Sequence, residues 1–301
     1  MRDLAWACFS PPLLHISRVA ERESGVYACT PQLSPERAAW LARLDRDPAA
    51  LLEHLSVRPT HRLGVYFEQL WHFFLQHDRE TELIAHNIAV HEAGKTLGEF
   101  DCIYYDRRLG CHVHLELAVK YFLGLPRNVG DGDTTNRREW LGPDRRDSLA
   151  AKLDRLLQHQ SRLGDTAAGK RRLAALNIIT TRKEIALKGY LFQPLSAPPP
   201  PPPGYNPACA MNLWLTSEQL DRHCAGLDTL DFLILPKMAW LSGSQHPACT
   251  EKLDRYELKA HALARFVKDP HPLLISALDR YGLEANRFFV TPPDWPNHGN
   301  Q

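Results

Sequence analysis

Acidic and basic side chains alternate along one segment in the first half of the chain in a pattern that suits chemistry on a phosphate ester. Residues 111–121 read Cys-His-Val-His-Leu-Glu-Leu-Ala-Val-Lys-Tyr. In an extended strand Glu116 and Lys120 share one face, while apolar residues occupy the other. The segment before it contains Asp101 and leads into it through a short turn. A hairpin would therefore place Asp101 across from Glu116 or Ala118.

These side chains are of the types that metal-dependent hydrolysis of a phosphodiester requires. Acidic oxygens hold one or two magnesium ions, and a cation stabilises the charge that develops on the phosphate. Glu116 and Lys120 are four residues apart, or roughly 13 Å along a strand. Their convergence on one site therefore depends on the reach of two long side chains.

Two other interpretations of the same face stay open. An acid and a lysine at alternating positions are also typical of the solvated side of an antiparallel sheet. His112, His114 and Glu116 form a His-x-His-x-Glu pattern on that face, and this pattern suits zinc, manganese or iron. A transition-metal site would indicate a different class of enzyme.

The elements around these residues predict an α/β fold. An aromatic-rich helix over residues 64–77 carries one carboxylate, Glu68. A strand from Leu83 to Val90 joins the two strands above in an antiparallel meander. The apolar spacing predicts a helix from Asp147 to Leu163, and a fourth strand fits residues 173–180. The order of helix, meander, crossover helix and strand predicts a mixed sheet.

The rest of the chain is organised around a run of six prolines, residues 198–203. Such a run is a stiff, extended spacer. Residues 1–55 look helical, with one helix capped by Ser34, and residues 126–146 form a long polar loop. After the prolines we expect a helix from Lys252 to Val267 and four strands, over residues 213–215, 232–235, 273–275 and 287–290.

Several of these features resemble the PD-(D/E)XK nuclease superfamily. They are helix-borne Glu68, the segment Gly98-Glu99-Phe100-Asp101, and Glu116-Leu117-Ala118-Val119-Lys120 after a hairpin. Short motifs along nearly the whole chain resemble more closely an uncharacterised bacterial family, a domain of unknown function assigned to that superfamily. These motifs are Arg2-Asp3-Leu4-Ala5-Trp6, Ser10-Pro11-Pro12, Gly142-Pro143 with Lys152 and His159-Gln160, Leu235-Pro236-Lys237 and Trp240-Leu241.

The resemblance implies a restriction-endonuclease-like mixed sheet flanked by helices and extended by a C-terminal α+β segment. The domain organisation expected from it is a helical segment over residues 1–55, a nuclease-like core over 56–195, a proline-rich loop over 196–204 and the C-terminal segment over 205–301.

The resemblance also implies roles for single residues. Asp101 and Glu116 would bind Mg²⁺ or Mn²⁺, Lys120 would stabilise the phosphate and orient water, and Glu68 would support the metal shell. Glu99 shares a face with Asp101 and is a reserve ligand. One position departs from the superfamily pattern: residue 118, two before the lysine, is alanine instead of an acid.

We therefore expect a metal-dependent nuclease acting on DNA or RNA, and as the alternative an inactive nuclease-fold module that binds nucleic acid or protein. The sequence does not reveal whether the substrate is DNA or RNA, whether cleavage is internal or from an end, or what the oligomeric state is. The side chains expected to contact nucleic acid are Arg127, Arg137, Arg138, Arg145, Lys152, Gln158 and Gln160, although acidic residues interrupt them.

Composition indicates the cellular compartment that we expect for this protein. Of the 301 residues 44% are hydrophobic and 24% charged, as in ordinary globular proteins, and the net charge of +1 does not indicate a partner. We find no signal peptide and no apolar run of the ~18 residues that a membrane span needs. The seven cysteines form no Cys-x-x-Cys pair. A cytoplasmic protein with reduced thiols and no membrane partner is expected.

Overall fold

The computed structural model describes residues 1–19, 25–127, 136–227, 231–244 and 252–297. Over these ranges the chain combines α-helices with a large mixed sheet of ten strands, which confirms the predicted α/β class. The helices are α1 (Arg2–Phe9), α2 (Ile16–Val19), α3 (Pro35–Arg46), α4 (Ala49–Ser56), α5 (Leu63–His77), α6 (Leu149–Asp154), α7 (Ala167–Ala174), α8 (Leu220–Ala225) and α9 (Arg255–Lys268). The strands are β1 (Val26–Ala28), β2 (Thr81–Glu92), β3 (Lys95–Asp106), β4 (Cys111–Gly124), β5 (Trp140–Leu141), β6 (Arg182–Pro194), β7 (Met211–Thr216), β8 (Asp231–Ile234), β9 (Leu273–Leu278) and β10 (Glu284–Thr291).

The chain divides into two compact units. The first comprises residues 1–120, 151–189 and 204–209, and the second comprises residues 121–150, 190–203 and 210–301. The boundaries predicted from the sequence, at residues 55, 195 and 204, stay a prediction. Among the described helices, none has the length and apolar character needed to span a bilayer.

In the first unit the predicted meander is confirmed. β2 pairs antiparallel with β3, with Ile88 opposite Phe100, and β3 pairs antiparallel with β4, with Cys102 opposite Leu115. β6 follows β4 in the order of the sheet, and β1 joins β6 in parallel. The apolar contacts of α5 position Glu68, because Phe67, Leu70 and Trp71 around it are almost fully buried.

The fourth strand lies later in the chain than the sequence predicts. The strand predicted over residues 173–180 is wrong, because helix α7 extends to Ala174. The Thr166 side chain caps that helix by accepting a hydrogen bond from the Gly169 N–H at 2.9 Å, and Leu and Ala favour helix. The strand is β6, whose buried Glu184 and Lys188 interrupt the apolar pattern that would have indicated it.

The predicted crossover helix is broken into three pieces. α6 is followed directly by a π-helical segment, Arg155–Gln160, and a 3₁₀ turn, Leu163–Asp165. Leu163 and, on α7, Leu173 pack against Phe100 of β3 in one apolar cluster. The segment is therefore fixed against the strand that carries Asp101.

The second unit contains the C-terminal strands. β7 and β10 pair in parallel, and β9 pairs antiparallel with β10 and β8. All four predicted strands and the predicted helix, which is α9, are confirmed. Of the predicted polar loop, residues 128–135 lie outside the described residues, and Arg137–Glu139 form a 3₁₀ turn before β5.

A close backbone approach between β4 and β6 generates a first prediction. Gly189 has φ +140°, and a Cβ added there would lie 1.7 Å from the Lys120 carbonyl oxygen. We expect Gly189→Ala to lower the free energy of unfolding by about 3 kcal/mol or more, measured by urea denaturation.

Gly64→Ala in α5 is the matched control, since a Cβ there meets nothing within 4 Å. It should be neutral or stabilise the protein by up to about 1 kcal/mol. Equal effects of the two substitutions would contradict the approach of β6 to β4.

Candidate functional site

Three carboxylates from three elements lie near enough in the first unit to influence one another's charge. Glu68 comes from α5, Asp101 from β3 and Glu116 from β4, and each interacts electrostatically with at least one of the others. We call them the carboxylate cluster. The predicted proximity of Asp101 and Glu116 is observed, and Glu68 adjoins both.

The strands separate where the cluster begins. Backbone pairing of β3 with β4 ends at Cys102 and Leu115, and one step further the Leu117 N–H donates to the Asp101 carboxylate at 2.8 Å. The Asp101 side chain therefore takes the place of a backbone acceptor. This exchange directs the carboxylate toward β4.

Glu116 is held by two neutral side chains. Its Oε1 is 2.7 Å from Nε2 of His114, and its Oε2 accepts a hydrogen bond from the Gln160 amide, also at 2.7 Å. Glu116 is 0% exposed and His114 is 1% exposed. The interpretation of this face as a solvated sheet surface is therefore wrong.

The π-helical segment brings Gln160 to Glu116. The Ser161 N–H donates to the Leu156 carbonyl at 3.0 Å, five residues back, which is the wide turn of a π-helix. The Gln160 Oε1 in turn accepts from Nζ of Lys152 on α6 at 3.1 Å. One glutamine thus links a lysine to the buried carboxylate.

Burial and mutual repulsion raise the pKa of every acid in the cluster. Burial is the main cause in each case. The charge of Asp101 adds to it at Glu68 and the charge of Glu116 adds to it at Asp101, whereas hydrogen bonds with Asp101 and Gln160 oppose it at Glu116; the pKa rises to about 7 for each of the three. The nearby Lys152 ammonium counteracts the rise at Asp101 and Glu116. One lysine therefore offsets only part of the negative charge.

The protonated form of Lys152 is itself disfavoured. Burial lowers its pKa, and the neighbouring Lys120 lowers it further. Arg155 contributes in the same direction. Lys120, the lysine predicted from the strand, therefore lies close to Lys152, on the basic side of the cluster.

His114 is neutral and hydrogen-bonded to Glu116. Burial lowers its pKa to about 4, and its ring meets the Phe100 ring edge-on, with 4.7 Å between centroids. Nε2 shares a hydrogen bond with Glu116, donating when that carboxylate is ionised, and Nδ1 is buried without a hydrogen-bond partner.

Glu99 lies at the margin of the cluster. The amide of Asn87 donates to Glu99 at 2.9 Å and to Glu68 at 3.4 Å, so it bridges the two carboxylates. Glu99 is exposed. His112 is half-buried, and its ring lies 5.2 Å from that of Tyr105. The transition-metal interpretation of His112, His114 and Glu116 stays a prediction.

Two side chains of the cluster are of the ligand type that a hard divalent cation prefers. Asp101 and Glu116 offer carboxylate oxygens, which Mg²⁺ and Mn²⁺ prefer, and their raised pKa values show that positive charge would stabilise both. In the described ranges, no group of three or more His, Cys, Asp or Glu side chains is already assembled to hold a metal ion. Binding would therefore require Glu68 or water to complete the coordination shell.

The residues predicted to contact nucleic acid fall into two groups. Lys152 and Gln160 belong to the site, and Gln158 beside them is exposed. The other four are in the second unit: Arg127, Arg137, Arg138 and Arg145. The guanidinium groups of Arg137 and Arg145 donate to backbone carbonyls of Pro203 and Pro296, and Arg138 is exposed.

A family model matches residues 2–291, nearly the whole chain. The chain belongs to the family described as Domain of unknown function (DUF1853). This confirms the predicted membership of an uncharacterised family. Comparison with curated proteins and with solved structures returned no match.

Two contacts of Glu116 were not predicted. His114 was considered as a metal ligand, although its position two residues before Glu116 already put both on one face. Lys152 was expected to contact nucleic acid, and Gln160 to contact nucleic acid or to reach the metal site, but no contact of either with Glu116 was specified. Their approach to Glu116 depends on a π-helical turn, which apolar periodicity does not reveal.

The raised pKa values predict how stability depends on pH. The folded acids hold protons that the unfolded chain has released, so the free energy of unfolding of the metal-free protein should fall as pH rises from about 4 to about 7. Asp101→Asn removes one half-buried charge. We expect it to stabilise the metal-free protein at about pH 8 by on the order of 2 kcal/mol and to have little effect at about pH 4.

Urea denaturation in the presence of a chelator measures both values. Asp45→Asn, the same substitution at an exposed position of α3, is the control and should leave the free energy of unfolding unchanged at both pH values. If Asp101→Asn instead lowers the free energy of unfolding at about pH 8, the fold stabilises the ionised form of Asp101, and the prediction is contradicted.

Proposed function

We propose that this protein is a metal-dependent nuclease that hydrolyses phosphodiester bonds of DNA or RNA. The observation that carries the proposal is the carboxylate cluster: three acids with a pKa of about 7 lie beside the half-buried Lys152. Perturbed acids and bases that gather in one place are characteristic of catalytic sites. Because these charges lower the stability of the metal-free fold, a structural role does not explain them and a functional role does.

The order of the elements supports a restriction-endonuclease-like core. Glu68 on a helix, Asp101 on the second strand of a meander and Glu116 on the third follow the arrangement that the PD-(D/E)XK resemblance implies. The crossover segment of α6, the π-helical turn and α7 then leads to β6. We propose this fold family for the first unit.

The chain's own residues divide the work of hydrolysis. Asp101 and Glu116 would hold Mg²⁺ or Mn²⁺, with Glu68 supporting the shell. The bound ion would supply Lewis acidity and a water of lowered pKa. His114 and Gln160 orient Glu116 by occupying one lone pair on each of its oxygens.

Two lysines supply positive charge for the phosphate. Lys152 is the one whose charge acts on both Asp101 and Glu116, so we assign to it the stabilisation of the developing negative charge. Lys120 adjoins it and adds a second cation. This arrangement explains why position 118 can be alanine. Glu116 supplies the carboxylate that the superfamily pattern places at 118, and Lys152 supplies a positive charge from α6.

The proposed partner is nucleic acid, and the proposed compartment is the cytoplasm. All six cysteines in the described ranges are free thiols, as expected in a reducing compartment.

Ala118 also favours a second candidate, a nuclease-fold module that binds nucleic acid or protein without turnover. Such a protein would bind its partner without any need for a divalent metal ion. Calorimetric titration with metal ion and with nucleic acid, each alone and then together, separates the two candidates.

Cleavage assays on single- and double-stranded DNA and RNA with Mg²⁺ or Mn²⁺ test the proposal. Asp101→Asn and Glu116→Gln should abolish both metal binding and cleavage, because each removes a ligand charge. Lys152→Met should keep metal binding and lower the cleavage rate by about 100-fold, since it removes only charge stabilisation. Lys120→Met tests the second cation in the same assay.

Lys170→Met on α7 is the matched control, an exposed lysine of the first unit outside the cluster, and should cleave like the wild type. A wild type without metal binding or cleavage would refute the proposal. Cleavage that persists in Asp101→Asn would assign the activity to another source.

A further inference from the structure

A cavity adjoins the carboxylate cluster and shares Asp101 with it. Its volume is about 230 Å³. Gly98, Glu99 and Asp101 of β3 line one wall, and Arg155, His159 and Gln160 of the π-helical segment line the other. Asp101 and Gln160 are thus shared between the cavity and the site.

The two walls carry opposite charge. Glu99 and Asp101 are acidic, whereas Arg155 is a permanent cation and His159 offers two ring nitrogens. Arg155 and His159 are four residues apart in a π-helical turn, both are exposed, and both line this cavity. Within the described part of the chain, neither side chain has a hydrogen-bond or ion-pair partner.

Unpaired donors on one wall indicate an anionic ligand. Arg37 and Arg182 of the first unit are paired with carboxylates, whereas Arg155 lines the cavity together with Glu99 and Asp101 without such a pair among the described residues. Guanidinium is suited to the oxygens of a phosphate group. The cavity is smaller than the roughly 300–1,000 Å³ of typical ligand pockets, so it suits one nucleotide unit better than a duplex.

We propose that this cavity binds a phosphate group of the nucleic-acid substrate through Arg155 and His159, next to the phosphate that is cleaved. The proposal rests on the proposed function, because the acidic wall would repel a phosphate unless a divalent cation occupied the cluster. Binding of the cation and of the phosphate is therefore coupled, and each strengthens the other.

The coupling can be measured with a mononucleotide. Thymidine 5′-monophosphate is titrated into the full-length protein by calorimetry, with and without Mg²⁺, and Mn²⁺ binding is measured separately in the absence of nucleotide. The wild type should bind the nucleotide only when Mg²⁺ is present. Arg155→Ala and His159→Ala should each weaken nucleotide binding by about tenfold or more, since each removes a bond to a charged group, and should leave Mn²⁺ binding unchanged.

Arg172→Ala is the matched control: it removes the same charge from an exposed position of α7 that does not line the cavity, and it should bind the nucleotide like the wild type. A wild type that binds Mn²⁺ but not the nucleotide would overturn the phosphate site and leave the metal site standing. The same holds if both cavity variants bind as tightly as the control. A wild type that binds no Mn²⁺ would overturn the proposed function, and the phosphate site with it.

Discussion

The first unit holds three carboxylates near one another, the fully buried Glu116 and the half-buried Asp101 and Glu68, and burial is the main reason that the pKa of each is raised. Glu116 cannot turn toward solvent, because His114 and Gln160 each hold one of its oxygens and the strand is covered on both faces. Asp101 is fixed by the Leu117 N–H. Burial of like charges lowers stability unless a counter-charge is supplied. Lys152 supplies only part of it, and a divalent cation would supply the rest.

Other features of the fold serve this arrangement. β3 and β4 stop pairing at the position where Asp101 enters, and the π-helical turn displaces Gln160 far enough to reach Glu116. The contact of the Gly189 backbone with Lys120 brings β6 against β4. The basic side chains Lys152 and Arg155 follow each other closely in the same segment, so one irregular helix supplies both the charge opposite the acids and a wall of the adjoining cavity.

Much of this unit follows from the sequence, and the limits have physical causes. The hairpin was predictable because alternation in residues 111–121 and the turn before it both indicate strands. The proximity of Asp101 to Glu116 followed from register. β6 was missed because Glu184 and Lys188 are buried polar residues within it. The sequence allowed Gln160 to reach the site but did not specify its hydrogen bond to Glu116, because a π-helical turn depends on tertiary packing. The raised pKa values of the cluster depend on burial, and the alternation of residues along a strand does not show how deeply each side chain is buried.

Proton release on metal binding tests the central claim most directly. Mn²⁺ can bind the cluster only in its ionised form, and acids with a pKa of about 7 are largely protonated at about pH 6. Calorimetric titration with Mn²⁺ in buffers of different ionisation enthalpy should show protons released at about pH 6 and almost none at about pH 9. Release that is absent at both pH values, or that persists unchanged in Glu116→Gln, would contradict a cation site built on these carboxylates.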